Sequence, residues 1–179
     1  MKSAKLRFNL ETKITPTSAE ATVDPATFAR LVVDAVRKAG LVDRVTVQSF
    51  DWRTLREVKR IAPEMGTVCL TIETASNDTV QRTAAMPSPW FAGLDLAAVQ
   101  GSLPRLVAAA GCGTWSPFWR NLTPEEARAA RGLGLAVVPW TVNEVAEMAA
   151  LIDLGVDGLI TDYPDRLRRV LADRGIALP

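Results

Sequence analysis

The chain has 179 residues, with 21 Lys and Arg set against 20 Asp and Glu for a net charge of +1, and it contains no histidine. A single domain of this length buries roughly 70% of the surface its unfolded chain exposes, so it needs no cross-links to hold a core. The balanced charge, with no basic run interleaved with aromatics, argues against nucleic-acid or membrane-surface partners and points to a small ligand.

No apolar stretch approaches the roughly 20 residues of a membrane span, and the opening Met-Lys-Ser-Ala-Lys runs into a strand-like segment instead of a signal peptide's apolar core. The chain as it stands is therefore expected to be soluble and cytoplasmic. A periplasmic or secreted location stays open if a signal lies upstream. Cys69 and Cys112 sit among apolar neighbours with neither CxxC nor metal spacing, and are expected to be small buried hydrophobes.

In chain order, strand-like apolar runs occur at Leu6 to Ile14, Val45 to Phe50, Val68 to Ile72, Cys112 to Ser116, Ala136 to Thr141 and Gly158 to Thr161. The helix between the first two has Asp24 as cap, Pro25 at its first position and Gly40 as its stop, with Phe28, Leu31, Val32, Ala35 and Val36 on one face. A second helix runs from near Asp51 to before Pro63. Residues 74–111 are too long for a simple crossover and contain Met86-Pro87-Ser88-Pro89-Trp90-Phe91, which predicts a loop over the strand mouths followed by a helix from Ser102 to Ala110. Thr123-Pro124-Glu125-Glu126 has the capping-box form, followed in register by Ala127, Ala130 and Leu133. Asn143 is expected to open the next helix, which ends at Gly155, and Pro164 the last, with Arg166, Arg168 and Arg169 on its solvated side.

Alternating strands and helices imply a parallel sheet with right-handed crossovers, either closed or open. No glycine-rich phosphate fingerprint follows any strand, which favours the closed form. The fold class expected is α/β, a partial TIM-type (β/α)8 barrel of about six βα units in one domain over residues 1–179. A complete barrel of this type has eight units and about 250 residues.

In such folds chemistry gathers at the carboxyl ends of the strands. The polar residues there are Glu11, Lys13, Gln48, Ser49, Asp51, Glu73, Ser116, Trp140, Thr141, Asn143, Thr161 and Asp162. Glu11 and Lys13 are two apart on one strand and project to one face. Their spacing admits a metal-ligating carboxylate beside a phosphate-binding ammonium, and equally a structural ion pair, and by itself favours the ion pair. Glu73, Asp51 and Asp162 are read first as helix caps. Trp140 suits either an apolar pocket wall or ordinary core packing.

Four pieces in order, Phe8-Asn9-Leu10-Glu11-Thr12-Lys13, Gln48-Ser49-Phe50-Asp51, Trp140-Thr141-Val142-Asn143 and Gly155-Val156-Asp157-Gly158-Leu159-Ile160-Thr161-Asp162-Tyr163-Pro164, resemble the glycerophosphodiester phosphodiesterases, metal-dependent barrel hydrolases. The resemblance implies hydrolysis of glycerophosphodiesters to an alcohol and glycerol 3-phosphate with a divalent cation, Ca2+ or Mg2+. It also implies Glu11 as a metal ligand, Lys13 on the phosphate and Trp140 lining the glycerol pocket, which reverses the preference for an ion pair, with Glu73, Ser49 and Asn143 as further candidates. It places this chain at strands three to eight of the family barrel. The two units before Met1 would carry the family's histidines and further metal ligands, so the chain alone is expected to hold metal weakly or not at all and to be inactive. The alternative is a catalytically silent remnant that binds a phosphate ester or a protein partner. Open sheet edges make self-association an expectation.

Overall fold

The computed structural model describes residues 6–18 and 20–177. Five parallel strands, β1 (Phe8–Glu11), β2 (Val45–Ser49), β3 (Gly66–Thr71), β4 (Thr114–Pro117) and β5 (Ala136–Val137), form one sheet in the order of the sequence. Six helices accompany them: α1 (Pro25–Lys38), α2 (Trp52–Ile61), α3 (Leu103–Ala109), α4 (Pro124–Gly132), α5 (Val145–Leu154) and α6 (Pro164–Asp173). Every strand lies beside its predecessor, with pairings such as Leu10 to Val47, Gln48 to Val68 and Leu70 to Ser116. The order never reverses, so there is no switch point of the open, doubly wound kind, and the sheet curls in one direction as a barrel wall does.

Of the six strands expected, the last is not a regular strand. Residues 157–160 nonetheless continue the sheet beyond β5: the Asp157 N–H donates to Val137 O at 2.9 Å, and Ile160 N–H to Pro139 O at 3.0 Å. Pro117 has no N–H to offer Val138 O, which ends the β4–β5 ladder after Val137, and Pro139 removes a donor on the other side, toward residues 157–160, whose pairing is irregular.

The main core lies between the outer face of the sheet and the helices, where Val45, Val47, Cys69 and Trp115 meet Val33, Trp52, Val58 and Leu106. A second cluster of Val142, Met148, Leu151 and Val170 joins α5 and α6. On α1 the buried face is Ala29, Val33 and Val36, whereas Leu31 is 52% exposed. The helical period admits two overlapping stripes here, and the one carrying Val33 turns inward.

Three further expectations are corrected. Cys69 and Cys112 form a disulfide across 43 residues, joining β3 to the turn before β4. The long loop contributes no residue to the lining of the cavity at the strand mouths, and its second half packs on the helix layer, where Phe91 is buried against Trp52 at 4.5 Å between ring centroids. Asn143 does not cap α5, whose N-cap is Glu144 without a side-chain bond. By contrast Asp24, Asp51, Ser102 and Thr123 all accept from the first turns of their helices, and the Thr123–Glu126 capping box is complete.

Candidate active site at the strand ends

Side chains alternate along each strand, so one face of β1 and β2 carries Asn9 and Glu11 beside Thr46 and Gln48. A polar ladder runs up this inner face. The Thr46 hydroxyl donates to Asn9 Oδ1 at 2.9 Å, the Asn9 amide donates to Gln48 Oε1, and Gln48 Nε2 reaches Glu11 Oε2 at 3.5 Å. At the top, Lys13 Nζ donates to Glu11 Oε1 at 2.8 Å. The lysine side chain is 79% exposed and the glutamate 23%, so the cation stands at the mouth and the carboxylate below it.

Across the mouth stands an aromatic wall. Trp140 donates its indole N–H to Ser116 O at 2.8 Å, which fixes the ring, and Phe50 meets it edge-on with centroids 5.3 Å apart. Phe118 packs on the same indole at 5.6 Å. Glu11, Lys13, Gln48, Phe50, Leu70, Trp140, Thr141 and Ile160 together line a cavity of about 260 Å³. It is open at the carboxyl ends of the strands, with a charged side at β1 and an apolar side at β5.

Glu11, Lys13 and Trp140, the three principal residues expected from the sequence, thus share one cavity. The other three lie elsewhere. Ser49 is fully buried on the opposite face of β2, where its hydroxyl donates to Thr12 O at 2.9 Å and ties β1 to β2. Glu73 caps no helix: both its carboxylate oxygens accept from Arg82, at 2.6 and 3.0 Å, and this pair anchors the start of the long loop. Asn143 bridges two chain segments, accepting from Asp162 N–H at 3.1 Å and donating to its carboxylate at 2.9 Å. Asp162 is therefore not the cap of α6, and Arg166 is not merely solvated, since it donates to Asn143 O and lies 3.9 Å over the Tyr163 ring.

Asp51 has the expected capping role, and its bidentate contact with the Arg53 guanidinium raises the arginine's pKa above its ordinary value, chiefly by hydrogen bonding. Phe50, Leu70 and Ile160 also line the cavity and were not among the candidates that the sequence offered. For Phe50, alternation from Thr46 through Gln48 was the available signal.

The cavity does not by itself make a divalent-cation site. Glu11 is the one carboxylate lining it, and among the described residues no three His, Cys, Asp or Glu side chains converge on a point. One carboxylate and one amide oxygen fall well short of the six or more oxygens that calcium or magnesium takes.

A parallel α/β sheet wound in one direction, helices on its outer face and a mixed polar and aromatic cavity at its strand ends define a partial TIM-type barrel. The family model described as the glycerophosphoryl diester phosphodiesterase family matches residues 1–166, and the chain belongs to that family. A glycerophosphodiester phosphodiesterase from Caldanaerobacter subterraneus is 26% identical over 144 residues, which is 80% of this chain and 49% of the relative. A solved structure from Silicibacter pomeroyi, assigned to the glycerophosphoryl diester phosphodiesterases, superposes with a TM-score of 0.77 at 33% identity, covering 96% of this chain and 52% of that one. An Oleispira antarctica phosphodiesterase, solved with its product sn-glycerol-3-phosphate, shares the fold with a TM-score of 0.64 at 15% identity, over 94% of this chain and 56% of its own. The chain thus spans about half the length of these relatives. Among the described residues no helix is long and apolar enough to cross a membrane.

Proposed function

We propose that this chain carries the phosphate- and glycerol-binding side of a glycerophosphodiester phosphodiesterase, within a full-length barrel that hydrolyses glycerophosphodiesters to an alcohol and glycerol 3-phosphate. The observation that carries this reading is the cavity itself, in which the Lys13 ammonium stands at one side and the Trp140–Phe50 wall at the other. A phosphate monoester of a short polyol has the matching form, with an anionic end for the ammonium and a carbon chain whose C–H face lies against indole. Glu11 is the one metal ligand the chain would contribute.

Hydrolysis of a phosphodiester needs groups that take a proton from water and give one to the leaving alcohol near neutral pH, and imidazole is the side chain suited to both. With no histidine in its 179 residues, the chain alone binds without turning over. Incubation with glycerophosphocholine and Ca2+ or Mg2+ is expected to release no glycerol 3-phosphate, and robust release would overturn the assignment of what is missing. Titration calorimetry with glycerol 3-phosphate should detect binding that Lys13→Ala weakens about fivefold, the effect of roughly 1 kcal/mol from an exposed charge pair.

The same lack of histidine favours a second reading, a catalytically silent binding protein. Fusing the N-terminal βα units of the Silicibacter relative to this chain separates the two. Regained hydrolysis supports the first reading; binding without hydrolysis in a folded fusion supports the second.

A further inference from the structure

We propose that the full-length barrel takes a glycerophosphodiester that keeps a hydrocarbon chain on its glycerol, and that an apolar cleft between α4 and α5 holds this chain. The inference rests on the phosphate-and-glycerol reading of the cavity. The aromatic wall facing Lys13 does not end at Trp140. Phe118 lies 5.6 Å from Trp140 and 6.2 Å from Trp119 between ring centroids, so Phe50, Trp140, Phe118 and Trp119 form one row. The Trp119 N–H donates to Trp140 O at 3.0 Å, which ties this segment to the strand end that carries the cavity's indole. Successive side chains of an extended segment leave it on opposite sides. Phe118 accordingly faces Trp140, while Trp119 crosses to the helix side and packs against the cluster of α5 and α6. The row thus leads from the mouth of the cavity over the β4–α4 connection to the outer wall.

There Trp119 and Leu122 line a cleft of about 680 Å³, whose other wall is α5 with Ala150, Leu151 and Leu154. At their carboxyl ends α4 and α5 are tied by Arg131, which donates to Leu154 O at 3.2 Å and Gly155 O at 3.0 Å. Between their opening turns the cleft is free, with Pro124 on one side and Ala146 on the other. Among the described residues only Arg120 and Glu147 bring charge to its lining, and the Arg120 guanidinium lies over the Trp119 ring at 4.8 Å.

A bare polyol gains nothing from such a surface, whereas each methylene fully buried on it gains roughly fourfold in affinity. The features follow one another in the order of the groups in a monoacyl glycerophosphodiester: anion at Lys13, glycerol at Trp140, chain past Phe118 into the cleft. In the full barrel, hydrolysis would break the bond from phosphorus to the head-group oxygen. Water would give its hydroxyl to phosphorus and its proton to the departing alcohol, and the chain would stay on the glycerol phosphate. The N-terminal units of that barrel would stand between β1 and residues 157–160, away from α4 and α5, so both walls of the cleft are already present in this chain.

Titration calorimetry on the 179-residue chain compares glycerol 3-phosphate with monooctanoyl glycerol 3-phosphate, whose short chain keeps it monomeric in solution. The acylated ligand is expected to bind about tenfold tighter, the gain from a few methylenes buried in an open cleft. Ala150→Glu, at an exposed position of α5, places a carboxylate in the cleft and should cancel most of that gain while glycerol 3-phosphate binds as before. Glu147→Leu removes the cleft's acid and should tighten the acylated ligand alone by about threefold, which keeps the test decisive if Ala150→Glu fails to fold by circular dichroism. Equal affinity of the parent for the two ligands would overturn the proposal and leave the reading of the cavity standing; binding of neither would overturn both. A gain that neither substitution moves would place the chain elsewhere and overturn the proposal as well. So would a dimer seen by sedimentation and broken by Ala150→Glu, which would assign the cleft to a second copy.

Discussion

Asp51 shows how much one buried carboxylate settles. Its oxygens receive the Arg53 backbone N–H at 3.1 Å and hold the guanidinium at 2.6 to 3.2 Å, with no part of its side chain exposed. Asp51→Asn keeps a capping oxygen but loses the charge, and is expected to cost about 2 kcal/mol by urea denaturation, the range for hydrogen bonds to charged groups. Two exposed carboxylates give a pH signature. Asp24, holding the first N–H groups of α1, and Glu64, bonded to the Arg37 guanidinium, both have pKa values lowered in the fold. A lowered carboxyl pKa contributes stability above the unfolded value, about 4, and that contribution is lost as pH falls through the folded value. The denaturation midpoint should therefore fall below about pH 4, and fall less in Asp24→Asn and Glu64→Gln. Asp24 and Asp51 were legible in the sequence because a capping carboxylate and the N–H groups that donate to it lie within three residues. The roles of Glu73 and Asn143 were not, since Arg82 lies nine residues away and Asp162 nineteen, and only the folded chain brings them together.

At the scale of elements, the strands were legible in existence and less so in extent. Apolar runs marked each of them, but Pro139 and Pro117 remove ladder donors that no count of apolar residues registers. The face of α1 was misread for a related reason: periodicity gives a stripe but not its neighbour, and α2 decides which stripe is covered. The long loop was recognised from its proline density and misplaced, because Phe91 finds its partner in Trp52, across the helix layer. The capping box of α4 depends on nothing distant. Thr123→Ala should cost about 1 kcal/mol, seen as a lower urea midpoint with an unchanged slope.

For the whole molecule, the sequence motifs led to the barrel and the family, and the cavity then joined Glu11, Lys13 and Trp140 from strand ends far apart in the chain. The cysteine pairing was hidden for lack of any local spacing signature; it follows from the topology, which lays the turn before β4 beside β3. A cross-link closing 43 residues should stabilise the fold by about 4 kcal/mol on the chain-entropy account, so dithiothreitol should lower the urea midpoint by a corresponding amount, and Cys69→Ala should reproduce the shift.

That same sulfur bridge makes a covalent ring of everything between the third strand and the approach to the fourth, the long loop included. A protease that clips the loop once inside this ring frees no fragment, and the nicked molecule keeps its mass apart from one added water. Only after reduction would an electrophoresis gel separate the two pieces, so a nick in this loop would pass unseen on a gel run without a thiol.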